Sequence, residues 1–242
     1  MWSGPRNLST AMMRAFENRP DTAVIDEPFY GAYLHLTGVE HPLREAVMAA
    51  TVTDWRKVVG RLSRQIEGGP AISYEKHITT HMLPEIDVRW MARRRNAFLI
   101  RAPERVLASY ARRREAVTAA DIGFARQAEL FDREADRLGT APPVLDAEDV
   151  LADPRGILRR LCHALGISFV GSMLSWPVGS RPTDGVWAPV WYGAVQASTG
   201  FAPLSTTTLP VLDSRLRALA EAARPSYERL ALHTIKPLPE NA

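Results

Sequence analysis

Short apolar segments alternate with longer segments of helical periodicity along this chain of 242 residues. Brief apolar strands that recur between amphipathic helices are typical of a parallel sheet covered by helices. The predicted strands are Thr22–Ile25, Ala71–Tyr74, Ala97–Ile100 and Pro143–Leu145. We therefore expect an α/β fold with three layers, in which a central parallel sheet is flanked by helices.

Helical periodicity begins after Asn7 and recurs in later segments. These later segments are residues 47–66, 104–114, 123–138, 154–165 and 212–232. Pro225 should interrupt the last of them, because proline lacks the N–H that a helix interior uses. Residues 176–208 are rich in Gly, Pro, Trp and Ser/Thr, which predicts a long functional loop or lid. Only Met1 and Trp2 precede the first turn, so the first strand either is very short or has lost residues from its start.

Composition excludes several classes of protein. With 46% hydrophobic and 24% charged residues, the chain is neither disordered nor collagen-like. Cys162 is the single cysteine, so no intrachain disulfide and no cysteine metal cluster can form, and we interpret it as a core residue. No apolar run approaches the roughly 20 residues of a membrane span, and the N-terminus has no signal-peptide pattern. We expect a cytoplasmic protein.

The turn Ser3–Thr10 is the first segment that indicates chemistry. It is rich in small and hydroxyl residues and leads directly into a helix, whose free N–H groups and positive dipole end bind phosphate well. Arg6 adds fixed positive charge, and Ser9 and Thr10 add hydroxyl donors. The turn is not a Walker A loop, because no Gly-Lys-Ser/Thr ends it. An ordinary capped turn is the alternative interpretation.

A second such segment runs from the strand Ala97–Ile100 into the next helix. Arg101 lies at the carboxyl end of the strand, where open α/β sheets place their ligands. Pro103 suits the first turn of the helix, and Ser109 follows after more than one further turn. An arginine and a hydroxyl can clamp a second phosphate. The alternative is a surface arginine with a serine inside a helix.

Together these segments resemble the sulfotransferases that use 3′-phosphoadenylyl sulfate (PAPS). Pro5–Thr10 is similar to the Pro-Lys/Arg-Ser-Gly-Thr/Ser-Thr loop that holds the 5′-phosphosulfate in that family. Arg101-Ala102-Pro103 with Ser109 matches the family's Arg-x-Pro…Ser signature for the 3′-phosphate, and residues 145–166 are similar to its strand-loop-helix ending in Leu-Gly. The resemblance covers about residues 1–170 and implies a P-loop-type fold. The PAPS-binding residues that it implies are Pro5, Arg6, Asn7, Leu8, Ser9, Thr10, Arg101 and Ser109.

The resemblance also implies a division of the chain and has two departures. We expect a single domain, with residues 1–170 as nucleotide-binding core and residues 171–242 as a C-terminal loop and helical cap. Leu8 stands where many members have Gly, so the loop backbone takes a different path. The family's C-terminal Arg-Lys-Gly element is not visible, and Arg181 or residues 187–200 are alternatives for its 3′-phosphate contacts.

Sulfuryl transfer requires a cation that stabilises the leaving phosphate and a base for the acceptor's proton. Arg6 is the expected cation. The strand Thr22–Ile25 ends in Asp26 and Glu27, and Glu27 before an aromatic pair is similar to the general base of carbohydrate sulfotransferases. Asp26 would instead cap or brace the loop. The alternative for Glu27 is a loop carboxylate with no catalytic task.

Residues 74–77 are similar to the Glu-Lys-(Ser/Thr)-Pro segment of the same relatives, in which the lysine approaches the transferred group. Lys76, one of three lysines against 27 arginines, is therefore the expected second catalytic cation. His77 is an alternative base, as in cytosolic sulfotransferases. His77 and His81 could share a helix face, but Ile78 stands where a zinc-protease motif needs Glu. We favour both histidines as polar residues that line the acceptor cleft.

The sequence thus predicts a bacterial PAPS-dependent sulfotransferase acting on a hydroxyl, or an amine, of a small-molecule or sugar acceptor. A P-loop small-molecule kinase and a non-catalytic nucleotide-binding protein of the same fold are the alternatives. No metal is expected, because fixed cations suffice for a sulfuryl group. We expect no membrane partner and no nucleic-acid partner, although nine arginines fall between positions 89 and 114. Four aromatic residues form either an acceptor or adenine wall or a packed core strip: Trp187, Trp191, Tyr192 and Phe201.

Overall fold

The computed structural model describes residues 1–64, 69–114, 116–203 and 208–237. Its centre is a five-stranded sheet in the order β2-β3-β1-β4-β5, in which every neighbouring pair is parallel. The strands are β1 (Trp2–Ser3), β2 (Thr22–Asp26), β3 (Ile72–Ile78), β4 (Phe98–Ile100) and β5 (Val144–Asp146). The predicted α/β class and parallel sheet are confirmed.

Helices cover both faces of the sheet, and two large hydrophobic clusters fill the layers between. Three short 3₁₀ segments supplement them at Thr79–His81, Arg89–Arg93 and Gly171–Leu174. The α-helices of the described residues are α1 (Ser9–Glu17), α2 (Tyr30–Thr37), α3 (Arg44–Ala50), α4 (Trp55–Leu62), α5 (Pro103–Ala111), α6 (Ala119–Ile122), α7 (Phe124–Leu138), α8 (Ala147–Ala152), α9 (Pro154–Ala164), α10 (Ala188–Trp191), α11 (Gly193–Gln196) and α12 (Ser214–Ala231). None of these helices is long and apolar enough to cross a membrane.

The first strand is only two residues long, yet it occupies the centre of the sheet. Trp2 pairs with His77 on one side and with Phe98 on the other. The Trp2 amide donates to the Ala97 carbonyl at 2.8 Å, and the His77 amide donates to the Met1 carbonyl at 2.9 Å. Because β1 leads directly into the turn before α1, its neighbours fix where that turn emerges.

The helical stretch predicted over residues 47–66 is wrong as a single helix. The structure places α3 and α4 there, separated by residues 51–54, and residues 65 and 66 lie outside the described part. Asp54 is the physical reason for the break, since its carboxylate accepts the Arg56 amide at 2.9 Å and caps a new helix.

The predicted interruption at Pro225 is also wrong. Helix α12 continues through Pro225, although proline leaves the carbonyl four residues earlier without its donor. Buried Ala223 and Leu230 anchor the helix on both sides of the proline. Tyr227 adds a hydrogen bond from its hydroxyl to Asp146 at 2.8 Å. Tertiary contacts thus hold a helix that local propensity disfavours.

The segment predicted as a long loop folds back over α1 and contains the short helices α10 and α11. Residues 204–207 of the predicted loop lie outside the described part. Asp184 forms a buried ion pair with Arg14 of α1, with both carboxylate oxygens within 2.7 Å of the guanidinium. We call residues 176–203 the C-terminal segment. Through Asp184 it is tied to the helix that follows the first turn.

Candidate active site

A cavity of about 350 Å³ lies at the carboxyl edge of the sheet. The ends of β1, β2, β3 and β4 meet there, as expected for the ligand site of an open α/β sheet. The structure brings every residue of the predicted site into the lining of this one cavity. These residues are Pro5, Arg6, Asn7, Leu8, Ser9, Thr10, Glu27, Lys76, Arg101 and Ser109.

The turn between β1 and α1 is tightly folded. Gly4 is required at its start, because a Cβ there would lie 2.8 Å from the carbonyl oxygen of Ile122. Arg6 and Leu8 both have left-handed backbones, with φ of 63° and 69°. Asn7 is buried and donates its side-chain amide to the Leu99 carbonyl at 3.2 Å, which braces the turn against β4. The turn therefore delivers the amino end of α1 to the cavity in a fixed conformation.

The two predicted phosphate segments lie in direct contact. Arg6 Nε donates to Ser109 Oγ at 3.0 Å, and its Nη1 donates to the Trp191 carbonyl at 3.2 Å. Arg101 Nη1 donates to the Arg6 carbonyl at 3.0 Å. Residues that are about 100 positions apart in sequence thus form one continuous surface of donors. Leu8 has the left-handed backbone conformation that glycine adopts most easily. A glycine, the usual residue of the family at this position, could therefore take the same backbone conformation.

This surface is positively charged, and the side chains of Arg6 and Arg101 that carry the charge are partly buried. Burial, together with the neighbouring guanidinium groups of Arg113 and Arg101, lowers the pKa of Arg6. Burial and Arg105 likewise lower the pKa of Arg101. Within the described part of the chain, Arg101 Nε is buried and has no hydrogen-bond partner. A concentration of positive charge with an unused buried donor, next to a helix amino end, fits an anionic ligand.

A second cluster, around Lys76, forms another part of the same cavity. Lys76 Nζ donates to Asp26 Oδ1 at 2.9 Å and to Glu27 Oε1 at 2.5 Å. Glu27 has a left-handed φ of 43°, which turns its carboxylate back toward β3, and its amide donates to the Lys76 carbonyl at 3.0 Å. The Lys76 side chain is 1% exposed. One buried ammonium is therefore the counterion of two carboxylates.

The pKa directions follow from that unequal charge count. Burial raises the pKa of Glu27; Lys76 opposes the rise, and the neighbouring Asp26 carboxylate adds to it. Burial alone would lower the pKa of Lys76, but the carboxylates of Asp26 and Glu27 outweigh it and raise the pKa. Lys76 is thus a fixed cation, and Glu27 is a carboxylate with enhanced proton affinity, as a general base requires.

The C-terminal segment adds a residue to this cluster that the sequence prediction did not place there. Tyr192 OH accepts from Lys76 Nζ at 2.5 Å and from Trp187 Nε1 at 2.8 Å. It lies 2.7 Å from Asp26 Oδ2 and 3.2 Å from Glu27 Oε1. Asp26 also accepts the Gly185 amide at 3.3 Å, so it braces the segment rather than capping a helix.

The two histidines are separated by the structure and share no helix face. His77 lies in β3 on the face opposite to Lys76, because neighbouring strand residues alternate. Its ring stacks on Trp2 at 4.3 Å and lies 5.4 Å from the ring of Trp90. His77 therefore does not line the cavity. His81 does line the cavity, and its Nδ1 lies 3.9 Å from Glu27 Oε2. Burial lowers the pKa of His81 well below 6.5 and keeps it neutral.

Aromatic rings form the wall beside His81. His81 is stacked between Tyr30 at 4.5 Å and Tyr33 at 5.0 Å. His41 stacks on Trp191 at 5.5 Å and forms a hydrogen bond with the Tyr30 hydroxyl. Burial and the nearby Arg114 lower the pKa of His41 to about 4. These rings form an uncharged part of the cavity wall.

The other residues that the sequence analysis singled out lie partly in the cavity wall and partly in the hydrophobic core. Trp191, Tyr192 and Phe201 line the cavity, whereas Trp187 is buried behind Tyr192. Arg181 lies outside the cavity lining, where it contacts Glu17 and the Pro177 carbonyl. No motif signals His41, because it comes from a stretch without periodicity. Over the described ranges, no group of three or more His, Cys, Asp or Glu residues is arranged to hold a metal ion.

Fold and site together define an α/β protein with an arginine-lined turn at a helix amino end and a buried cluster of two carboxylates and a lysine. The family model described as "Sulfotransferase domain" matches residues 1–233, and the chain belongs to this family. The sulfotransferase domain of the Synechococcus PCC 7002 olefin synthase has a similar structure. Its TM-score is 0.54 at 18% identity, over 91% of this chain and 92% of that domain, which supports the fold.

Two curated relatives from Arabidopsis thaliana have names that point elsewhere. Branched-chain-amino-acid aminotransferase-like protein 1 is 38% identical over 83% of this chain, and the similarly named protein 2 is 34% identical over 96%. The chain spans only 36% and 41% of the lengths of these relatives. Their names therefore describe proteins much longer than the matched part.

Proposed function

We propose that the chain transfers a sulfuryl group from PAPS to a hydroxyl, or an amine, of a small-molecule or sugar acceptor. One observation carries the proposal: the Arg6–Ser109–Arg101 surface and the Glu27–Lys76 pair line the same cavity. The first is suited to a doubly anionic nucleotide, and the second to removal of a proton. No metal is part of the proposal.

The donor surface fits PAPS in its chemistry. The turn Pro5–Thr10 and the amino end of α1 would hold the 5′-phosphosulfate through backbone N–H groups and the hydroxyls of Ser9 and Thr10. Arg101 and Ser109 would hold the 3′-phosphate, and the unused Arg101 Nε supports this assignment. When bound, PAPS supplies a sulfuryl group attached to a phosphate leaving group.

The residues of the chain would then divide the work of transfer. Arg6 stabilises the negative charge that develops on the leaving phosphate. Glu27 Oε2, the oxygen that Lys76 leaves free, accepts the proton of the acceptor hydroxyl. Lys76 is the second cation beside the reacting groups. The uncharged wall around Tyr30 would hold the body of the acceptor.

The proposed function includes the expected division of the chain. Residues 1–170 would bind the nucleotide, and residues 171–242 would close the site through Tyr192 and Trp191. A cytoplasmic location remains a prediction from the sequence.

A comparison of nucleotides tests the donor. Adenosine 3′,5′-bisphosphate should raise the melting temperature by several degrees, because a ligand at a hundredfold excess over its Kd stabilises by about 2.7 kcal/mol. ATP with magnesium should do so much less. The reverse ranking would favour a P-loop kinase. The next measurement is a screen of hydroxyl and amine acceptors with sulfur-labelled PAPS.

Arg101→Ala tests the 3′-phosphate assignment. The variant should bind adenosine 3′,5′-bisphosphate about tenfold to a hundredfold more weakly, since it loses charge-assisted hydrogen bonds, and should bind adenosine 5′-phosphate nearly normally. Isothermal titration calorimetry measures both affinities. Arg155→Ala, an exposed position in α9, is the matched charge control. Equal losses for the two nucleotides would remove Arg101 from the 3′-phosphate site.

A further inference from the structure

Two adjacent carboxylates, Asp26 and Glu27, compete for the single ammonium of Lys76. Both side chains are buried, at 2% and 9% exposed. Because the two carboxylates carry two negative charges and Lys76 carries one positive charge, one carboxylate lacks a counterion of its own. Which of the two takes up a proton is therefore decided by the other hydrogen bonds around them.

Those hydrogen bonds are distributed unequally, and Tyr192 is the reason. Asp26 has donors at both oxygens: Lys76, the Tyr192 hydroxyl at 2.7 Å and the Gly185 amide. Glu27 Oε1 has Lys76 and a longer contact of 3.2 Å to the same hydroxyl. A phenol has one proton and donates it to one acceptor at a time. The shorter distance assigns that proton to Asp26.

The other side of the Tyr192 hydroxyl is also occupied. Trp187 Nε1 and Lys76 Nζ both donate to its oxygen, so its own proton is directed toward the carboxylates. Its position is fixed, because Tyr192 is 3% exposed and its ring lies 4.7 Å from Lys76 Nζ. A hydroxyl that accepts two hydrogen bonds is also a stronger donor.

We infer that Tyr192 is a positioning residue: its hydroxyl holds Asp26 as the permanent counterion of Lys76 and so makes Glu27 the carboxylate that exchanges protons. The role requires no contact between Tyr192 and either substrate. It deepens the proposed function, because it explains why one of two neighbouring carboxylates is the base. It also gives the C-terminal segment a chemical task beyond covering the cavity.

Infrared spectroscopy tests this inference without any catalytic assay. The C=O stretch of a protonated carboxyl reports which residue takes up a proton as pH falls. In the native protein, the first such band to appear should be lost in Glu27→Gln. In Asp26→Asn it should remain but appear at lower pH, because Lys76 then has Glu27 as its carboxylate partner and the repulsion from Asp26 is gone. In Tyr192→Phe, Asp26 loses its hydroxyl donor, and we expect the one proton to be shared between the two carboxyls, so that part of the band comes from Asp26. The Asp26 part of the band should be absent in the double variant Tyr192→Phe/Asp26→Asn.

Charged and titratable groups face Glu27 from every element around it, and each variant should change only the group that it substitutes. These groups are Asp26, Tyr30, Lys76, His81 and Tyr192. Tyr74→Phe is the matched control, because Tyr74 is buried in β3 and its hydroxyl has no hydrogen-bond partner among the described residues. The carboxyl band of the Tyr74→Phe variant should titrate as in the native protein.

A second variant keeps the inference testable if Tyr192→Phe does not fold. Trp187→Phe removes one donor to the Tyr192 oxygen and should shift the carboxyl titration in the same direction by a smaller amount. Once an acceptor is found, Tyr192→Phe should lower kcat and move the acid limb of the pH profile, with the KM for PAPS within about twofold. This kinetic arm depends on the proposed function, and the infrared arm does not. A titration of Tyr192→Phe that is identical to that of the native protein would overturn the inference.

Discussion

Glu27 combines backbone strain with a buried charge at a single position. Its φ of 43° lies in the left-handed region, which costs a non-glycine residue of order 1–3 kcal/mol. The conformation directs the carboxylate toward Lys76 at the carboxyl edge of the sheet. Strain of this kind persists only where the surrounding structure holds it, and here β3 and Tyr192 do so.

The pH dependence of turnover follows from the environment of Glu27. Burial raises its pKa above 4.5, and a general base works only when ionised. The rate should therefore fall as pH decreases through a value above 4.5, the ordinary pKa of glutamate. Glu27→Gln should lower kcat by about a hundredfold or more, while affinity for adenosine 3′,5′-bisphosphate stays within about twofold. Glu45→Gln, an exposed control, should behave as native; full activity in Glu27→Gln would exclude Glu27 as the base.

Much of the site was predictable because its residues lie where strands end. The turn after β1 and the positions of Glu27, Lys76 and Arg101 all follow from that rule. His77 was expected to line the acceptor cleft, but strand alternation turns it away from Lys76, and it does not line the cavity. Tyr192 was not predictable to the same degree, because a segment without periodicity does not show which side chains turn inward.

At the scale of elements, the sequence predicted the helices that have a regular apolar face. Helices α7 and α9 agree with their predicted ranges within a residue. The errors occurred where one short polar signal outweighs periodicity, as at the Asp54 cap, or where packing outweighs a local breaker, as at Pro225. The second case makes a quantitative prediction.

Pro225→Ala should stabilise the protein. The alanine restores the N–H that the carbonyl of Glu221 lacks, and Pro225 is exposed, so little packing is lost. We expect a gain of about 1–3 kcal/mol, reduced by the larger entropy of the unfolded chain. Urea unfolding measures it. Pro154→Ala, at the first position of α9 where proline is favourable, should give no gain; equal effects in both variants would contradict this account.

At the scale of the molecule, the sheet brings residues from the ends of four strands together at one edge, and the C-terminal segment adds Tyr192 to them. The buried pair Arg14–Asp184 joins that segment to α1, with the two side chains 1% and 5% exposed. The C-terminal segment and the turn before α1 are therefore connected through this helix.

Asp184→Ala should test this link. It leaves the buried Arg14 without its main counterion, and we expect a loss of about 3–5 kcal/mol in unfolding free energy. The matched control is Asp132→Ala, which breaks the exposed pair with Arg229 and should cost less than about 1 kcal/mol. Urea denaturation compares the two. Similar losses would mean that the Asp184 pair does not hold the segment in place.

The unequal sharing of Lys76 gives the cavity an electric polarity. Guanidinium groups of Arg6 and Arg101 line one part, and the surplus negative charge of Asp26 and Glu27 lies in another. A molecule with an anionic end is drawn in with that end toward the arginines, and an anionic group is repelled from the carboxylates. We therefore expect the cavity to orient a ligand by its anionic end and to bind a second ligand weakly if it carries negative charge near its reacting atom.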